Sequence, residues 1–391
     1  MDKVLDQNAA YIDRIKAFVA DIIRPLAARD DGDNMIGAEV IAQMKALGLF
    51  GTLIPKAYGG LGLDLATHCA VMEELASGWV SVAGVLNPHV LCCNLVLTSG
   101  SDAQKHSLLP SMASGDLRCA FSLTEPHTGS DVQSITTAAE PLDDGGWSLT
   151  GHKRWITNGH AANMVFVLAI TDPEAKPAHK GMTCFMVEKP PFADGDGSVV
   201  VEEIIDKMGD RGVETTDLVL RAHPCPASRV LGEKAGVNRG FAQMMQSMET
   251  GRIGASSMCV GVARRCLEVG LDYARTRETF GQKIGNHQAI QFKLADMATK
   301  IEAARLLTRN AARLKTAGAR VDMAAGMAKL FASDAAVEVA EEAFRIHGSN
   351  GYSRSSEVER LYRDALSLVS AEGPSEIQRM IIGRTVFRDG I

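Results

Sequence analysis

The chain has no Cys-x-x-Cys pair. Its 8 cysteines are scattered through 391 residues, with only Cys92 and Cys93 adjacent. That spacing suggests neither a zinc site nor a disulfide framework, and it fits a reducing compartment. A formal net charge of −6 and the lack of any Lys/Arg run argue against nucleic acid as a partner. The dipeptide Gly-Lys is absent, which excludes a Gly-x4-Gly-Lys phosphate loop, and Gly60-x-Gly62 lacks the third glycine of a dinucleotide fingerprint. The start, Met1-Asp2-Lys3-Val4-Leu5-Asp6, has neither an apolar signal core nor an Arg-rich leader. No stretch reads as apolar for long enough to span a membrane, so a cytoplasmic location is expected. What is present, 46% hydrophobic and 23% charged residues, is the composition of a globular protein long enough for two or three domains.

Three textures follow one another. Residues 1–118 read as helical. Tyr11, Ile15, Phe18, Val19 and Ile22 trace a helix face that Pro25 closes, Ala38 to Leu47 forms a helix ending at Gly48, and helices fit Thr67–Ala76 and Ser101–Met112. Glu73 and Glu74 fall on the third of these as a solvated face. Residues 119–228 carry short runs rich in β-branched or aromatic residues: Cys119–Leu123, Ser134–Ala139, Trp147–Thr150, Met164–Ile170, Met182–Val187, Val199–Ile205 and Asp217–Leu220. Turn clusters such as Asp143–Gly146 and Asp194–Gly197 separate them, a pattern of a β-barrel or sandwich. Residues 229–391 return to helix, with Gly240–Thr276, a segment from Asn286, and Val321–His347 closing at Gly348, which together read as a bundle.

One short stretch near the end, Ala371-Glu372-Gly373-Pro374-Ser375-Glu376-Ile377-Gln378, places a carboxylate on a turn after an apolar run. Ser375 and Gln378 have capping-box spacing, so a helix starts at Ser375. A desolvated Glu372 has its pKa raised towards the range of a general base, although a Glu on a surface loop fits the same residues. Four other segments can carry chemistry. Phe121 to Asp131 ends a strand in a polar turn, with Gly129-Ser130 allowing close backbone approach. Lys153 to Gly159 sets Trp155 beside Thr157, a stacking ring with a hydroxyl. Arg277 to Gly281 with Gln288 offers a guanidinium for a pyrophosphate. Arg345 to Tyr352 is a glycine-rich helix end. Each also fits an ordinary turn, core or helix end.

In their order, these segments resemble the acyl-CoA dehydrogenase family of flavoproteins over nearly the whole chain. The likeness rests on Thr124-Glu125-Pro126, Gly129-Ser130-Asp131, Trp155-Ile156-Thr157-Asn158-Gly159, Gly251-Arg252, Arg277 to Gly281, Gln291 to Met297, Arg363-Asp364 and Glu372-Gly373. It implies an α+β multidomain fold: an N-terminal all-α domain (1–118), a middle β-barrel (119–228) and a C-terminal four-helix bundle (229–391). It implies FAD bound without a Rossmann domain. Phe121, Leu123, Thr124, Trp155, Ile156 and Thr157 are then expected around the ring, with Thr157 towards N5, and Gly129 and Ser130 near the pyrophosphate. Pro374 and Glu376 are also assigned to the cofactor. Arg277, Phe280, Gln288 and Arg345, Ile346, His347, Gly348 and Ser349 are expected to reach FAD from a neighbouring subunit of a homotetramer. Ser130, Glu249, Gly251, Arg252, Gly373 and Arg384 are assigned to the acyl-CoA.

The resemblance makes Glu372 the base that removes the α-proton while a β-hydride passes to the flavin, with electrons leaving to electron-transfer flavoprotein. The product is a trans-2-enoyl-CoA, in fatty acid or amino acid catabolism. Ala371 stands where many members have an aromatic residue, which implies room for a branched or bulky acyl group, and Pro374 stands where many have Thr. The alternatives are a carrier-protein-bound acyl thioester as substrate, a flavin oxidase or monooxygenase on the same scaffold, and a non-catalytic binding protein.

Overall fold

The structure, a computed structural model, describes residues 8–32, 35–192 and 197–389. The Met1–Asp6 segment and residues 194–196 of the Asp194–Gly197 turn lie outside the described residues. Helices open the chain: α1 (Ala9–Phe18), α2 (Arg24–Asp30), α3 (Ala38–Ala46), α4 (Leu65–Gly78), α5 (Val80–Ser99) and α6 (Asp102–Ser114). Pro25 does not close the first helix. It sits in the first turn of α2, where no N–H is needed, and the π-helical turn Val19–Ile23 joins α1 to α2 without a break. Gly48 ends the α3 region at φ 70°, as its position predicts.

Helix α5 has no counterpart in the reading from sequence. It is apolar all round, so it has no face for periodicity to find, and Pro88 and Gly84 lie inside it. By length and composition it is the one described helix that could cross a membrane, which corrects the expectation of none; 89% of its apolar window is buried inside the fold. Val82, Leu86, Leu91, Leu95 and Val96 are each almost fully buried. Each contributes about 1.5–3 kcal/mol of burial free energy. The helix therefore belongs to the core and touches both the sheet and the bundle.

The middle region holds β1 (Cys119–Ser122), β2 (Ala138–Pro141), β3 (Trp147–Thr157), β4 (Met164–Ile170), β5 (Met182–Glu188), β6 (Val199–Ile204) and β7 (Thr215–Cys225). They form one curled seven-stranded sheet in which β1 and β2 run parallel to β4, β5 pairs antiparallel to its other side, and β3, β7 and β6 extend antiparallel from β2. Strand β3 runs seven residues beyond Thr150 because β7 pairs with it as far as Thr157↔Thr215. Its register breaks between Lys153 and Ile156. Residues 134–137 lie outside the strand once expected there, since Val132–Ser134 forms a 3-10 turn.

The remaining elements are α7 (Gly240–Thr276), a small hairpin of β8 (Glu278–Thr279) and β9 (Gln282–Lys283), α8 (Gln288–Thr316), α9 (Asp322–His347), α10 (Glu357–Ser370) and α11 (Ser375–Asp389). Glu73 and Glu74 on α4 are not a solvated face. Arg305 of α8 pairs with Glu73 (3.0 Å) and Arg264 of α7 forms a two-pronged pair with Glu74 (2.7 and 2.8 Å). The two carboxylates thus pin the N-terminal helices to the bundle, an arrangement set by partners about 190 residues away or more that periodicity cannot reveal.

Candidate active site

Glu372 lies in the turn between α10 and α11. It has φ 55°, followed by Gly373 at φ 89°. A non-glycine residue in the left-handed region is uncommon, and such a backbone persists only where the surroundings hold it. Here Gln378 holds it: the amide Nε2 donates to the carbonyls of Glu372 (3.2 Å) and Gly373 (2.9 Å), and Arg252 Nε donates to the Glu372 carbonyl (3.4 Å). This corrects the expected capping box. Ser375 is the first residue of α11 and its hydroxyl donates to Asp334 Oδ1, while Gln378 serves the turn. Among the described residues no acceptor takes the Glu372 N–H.

The carboxyl of Glu372 points back into the protein. Asn87 Nδ2, on α5, donates to its Oε1 at 2.8 Å. A Cβ built on Gly251 of α7 would stand 2.9 Å from its Oε2 and 2.8 Å from a methyl of Leu91. Burial pushes the pKa of Glu372 above the ordinary carboxylate value, against the opposing pull of Arg252, Lys329 and Asn87. Arg252 and Lys329 are themselves buried, and burial lowers the pKa of each. Lys329 donates to the Val369 carbonyl at 2.6 Å. Asn87 and Lys329 were missed from sequence. The available signal was an Asn and a Lys set inside apolar helical runs.

A second group forms where β1 and β3 end. Arg154 N–H donates to the Thr124 carbonyl (2.9 Å) and Lys153 Nζ to the Leu123 carbonyl (3.1 Å), which sets Leu123 and Thr124 against the Trp155–Thr157 segment. Phe121 lies on β1 and Ile156 is buried. Trp155 has φ 62° within the β3–β7 irregularity, and that kink turns its indole outward, 55% exposed, with the Arg154 guanidinium over the ring. Gly129 packs at the Thr124 methyl, and Ser130 is exposed. Beneath the turn, Lys153 and Glu125 form a fully buried ion pair at 2.9 Å. Glu125 also accepts from the N–H and hydroxyl of both Thr136 and Thr137 (2.5–2.9 Å). Asn158 Nδ2, just after β3, donates to the Val85 carbonyl of α5 (2.8 Å). Helix α5 therefore touches this group through Val85 and Glu372 through Asn87.

A third group is exposed at the ends of α7 and α9. Tyr273 stacks on His347 (4.3 Å between rings) and receives a hydrogen bond from Asn350. Arg277 caps α7, Phe280 tips the β8–β9 hairpin with its ring 97% exposed, and Gln288 opens α8. Ile346 is buried, whereas Arg345 is exposed and bound to Glu341, and Gly348 and Ser349 are exposed. Glu249 pairs with Lys315 (2.9 Å) one turn from Arg252. Pro374 supplies the carbonyl that receives the Ile377 N–H. Glu376 and Arg384 face solvent on α11 and do not join the Glu372 cluster.

A helical layer, a curled sheet and a helical bundle thus join along α5, which bonds both the half-buried Glu372 carboxyl and the sheet turn that follows Trp155. The chain belongs to the acyl-CoA dehydrogenase family. Descriptions of that family's N-terminal, middle and C-terminal domains match residues 6–116, 120–222 and 238–387. It is 36% identical to a 3-(aryl)acrylate reductase of Clostridium sporogenes, covering 95% of this chain and 96% of that one. It is 38% identical to an acyl-CoA dehydrogenase of Bacillus subtilis, covering 95% of each. The butyryl-CoA dehydrogenase structure of Megasphaera elsdenii superposes with a TM-score of 0.92 at 34% identity, over 97% of this chain and 98% of that one. The protein is an FAD-dependent enzyme that dehydrogenates acyl-CoA. The outward, 55% exposed indole of Trp155 suits packing on a flat ring system.

Proposed function

We propose that Glu372 is the base of an α,β-dehydrogenation of an acyl-CoA thioester. The observation that carries this is the Glu372 carboxyl, drawn inward by Asn87 against Gly251 and raised in pKa by burial. Its Oε2 accepts the α-proton, and the unclaimed Glu372 N–H serves the thioester oxygen as charge develops there. FAD, when bound, supplies the hydride acceptor. Phe121, Leu123, Thr124, Ile156 and Thr157 hold its ring, Trp155 packs on it, and Gly129 and Ser130 receive its phosphates. Arg252, Glu249 and Gly373 lie on the thioester side. The Arg277–Gln288 and Arg345–Ser349 group serves the FAD of a second subunit in a homotetramer. The 97% exposure of Phe280 supports that assignment. Electron-transfer flavoprotein is the proposed acceptor.

The acyl class we propose is branched or aromatic. Ala371 supports it, as does the similarity to an enzyme named for aryl acrylates. The test is anaerobic: straight, branched and aromatic acyl-CoAs are added in turn to the yellow protein. Bleaching of the oxidised flavin band by one of them is the expected result, and a flavin that none of them bleaches sinks the reading. Gly251→Ala is expected to slow that bleaching on the order of tenfold to a hundredfold, because its methyl must displace Leu91 or the carboxyl itself. Stopped-flow reduction at saturating substrate measures it, and an unchanged rate would mean that Gly251 does not border the reacting carboxylate.

A further inference from the structure

We propose that Asn87 is a positioning residue for the reaction, fixing which oxygen of Glu372 takes the proton. The inference rests on the assignment of Glu372 as base. The Asn87 amide donates to Oε1. Among the described residues Oε2 has no donor, so the free lone pairs lie on the oxygen beside Gly251. Asn87 is 6% exposed and is gripped from the far side: a Cβ built on Gly254 would stand 2.4 Å from its Oδ1. The missing side chain at Gly254 is what admits the amide between α5 and α7.

The charges facing Glu372 are Arg252 from α7 and Lys329 from α9, while α5 presents only this neutral amide. Both cations are long side chains anchored to main-chain carbonyls, Glu372's own and Val369's. Among the described residues Asn87 alone donates to the carboxyl oxygens. It supports the ionised form through a hydrogen bond that a protonated carboxyl uses less well.

The test is the pH profile of flavin reduction in holoenzyme carrying Asn87→Leu or the isosteric Asn87→Asp. In Asn87→Leu the acid limb is expected to move up by about one unit, a tenfold slower reduction on that limb. The alkaline plateau is expected to fall as well, because the ionised carboxyl is no longer held with Oε2 free beside Gly251. Asn87→Asp sets a like charge against Glu372 and is expected to move the limb further. Gly254→Ala, which pushes the amide aside while leaving it in the chain, is expected to move the limb in the same direction. A residue with a merely structural role would lower the whole profile without moving the limb. An unmoved limb in Asn87→Asp and Gly254→Ala overturns the proposal, even if Asn87→Leu does not fold. Glu372→Gln separates the two readings: if it is active, the base assignment fails, and if it is inert while the Asn87 variants keep the native limb, only the inference fails.

Discussion

Glu372→Gln is expected to abolish substrate-dependent flavin reduction, by on the order of 10³–10⁴-fold, while FAD content and acyl-CoA binding persist. Gln has nearly the same shape and can still bind Asn87, Gly251 being wide enough for either, so what disappears is the proton acceptor. The retained FAD follows from the chain's layout, since the Thr124–Trp155 group stands on the sheet and not on the Glu372 turn. In the native enzyme the acid limb should lie above the ordinary glutamate value, because burial raises the Glu372 pKa. Below that limb the carboxyl is protonated and idle; above it the base is charged and active. Rapid mixing with the substrate found anaerobically measures both. Reduction of the variant at the native rate would move the base elsewhere.

The second large effect is structural. Lys153→Met is expected to cost about 3–5 kcal/mol of stability and to empty much of the proposed flavin site, because it strands the Glu125 carboxylate in the interior. Burial would drive Glu125 up, but Lys153 with Thr137 and Thr136 holds it down to about 2. Burial pushes Lys153 down to about 8 against the pull of Glu125, and both stay charged at neutral pH. The sign for acid stability follows from Glu125. Its contribution is fully present above the ordinary glutamate value and is lost as pH falls towards about 2. Thermal unfolding with flavin release as a second signal measures the loss, and a midpoint unchanged at pH 7 would mean the pair contributes nothing.

How far the sequence was legible depended on range. The seven strand runs all lie within or beside observed strands because β-branched clusters between turn residues are a local signal. Helix α7 matched its expected limits, Gly240–Thr276, for the same reason. Helix α5 was illegible because uniform apolarity has no period, and Asn87 went unnoticed with it. Trp155 could be named, but its outward turn could not be foreseen, since it follows from a register break fixed by β7, some 60 residues on. Glu125 and Lys153 lie 28 residues apart, and only the fold shows that one neutralises the other. The turn at Glu372 was readable from Gly373-Pro374, whereas the work of Gln378 was not, because spacing alone fits a cap as well as a clamp.

Helix α5 has a mechanical consequence. The turn that presents the indole is fastened to it at Val85 and the carboxyl at Asn87, two residues apart. Two residues of α-helix span about 3 Å along the axis. With the roles proposed for Trp155 and Glu372, the cofactor turn and the base are referenced to one helix instead of to two independent loops. A change that shifts α5 is thereby expected to disturb both sides of the proposed reaction together, whereas a change in either loop alone disturbs one.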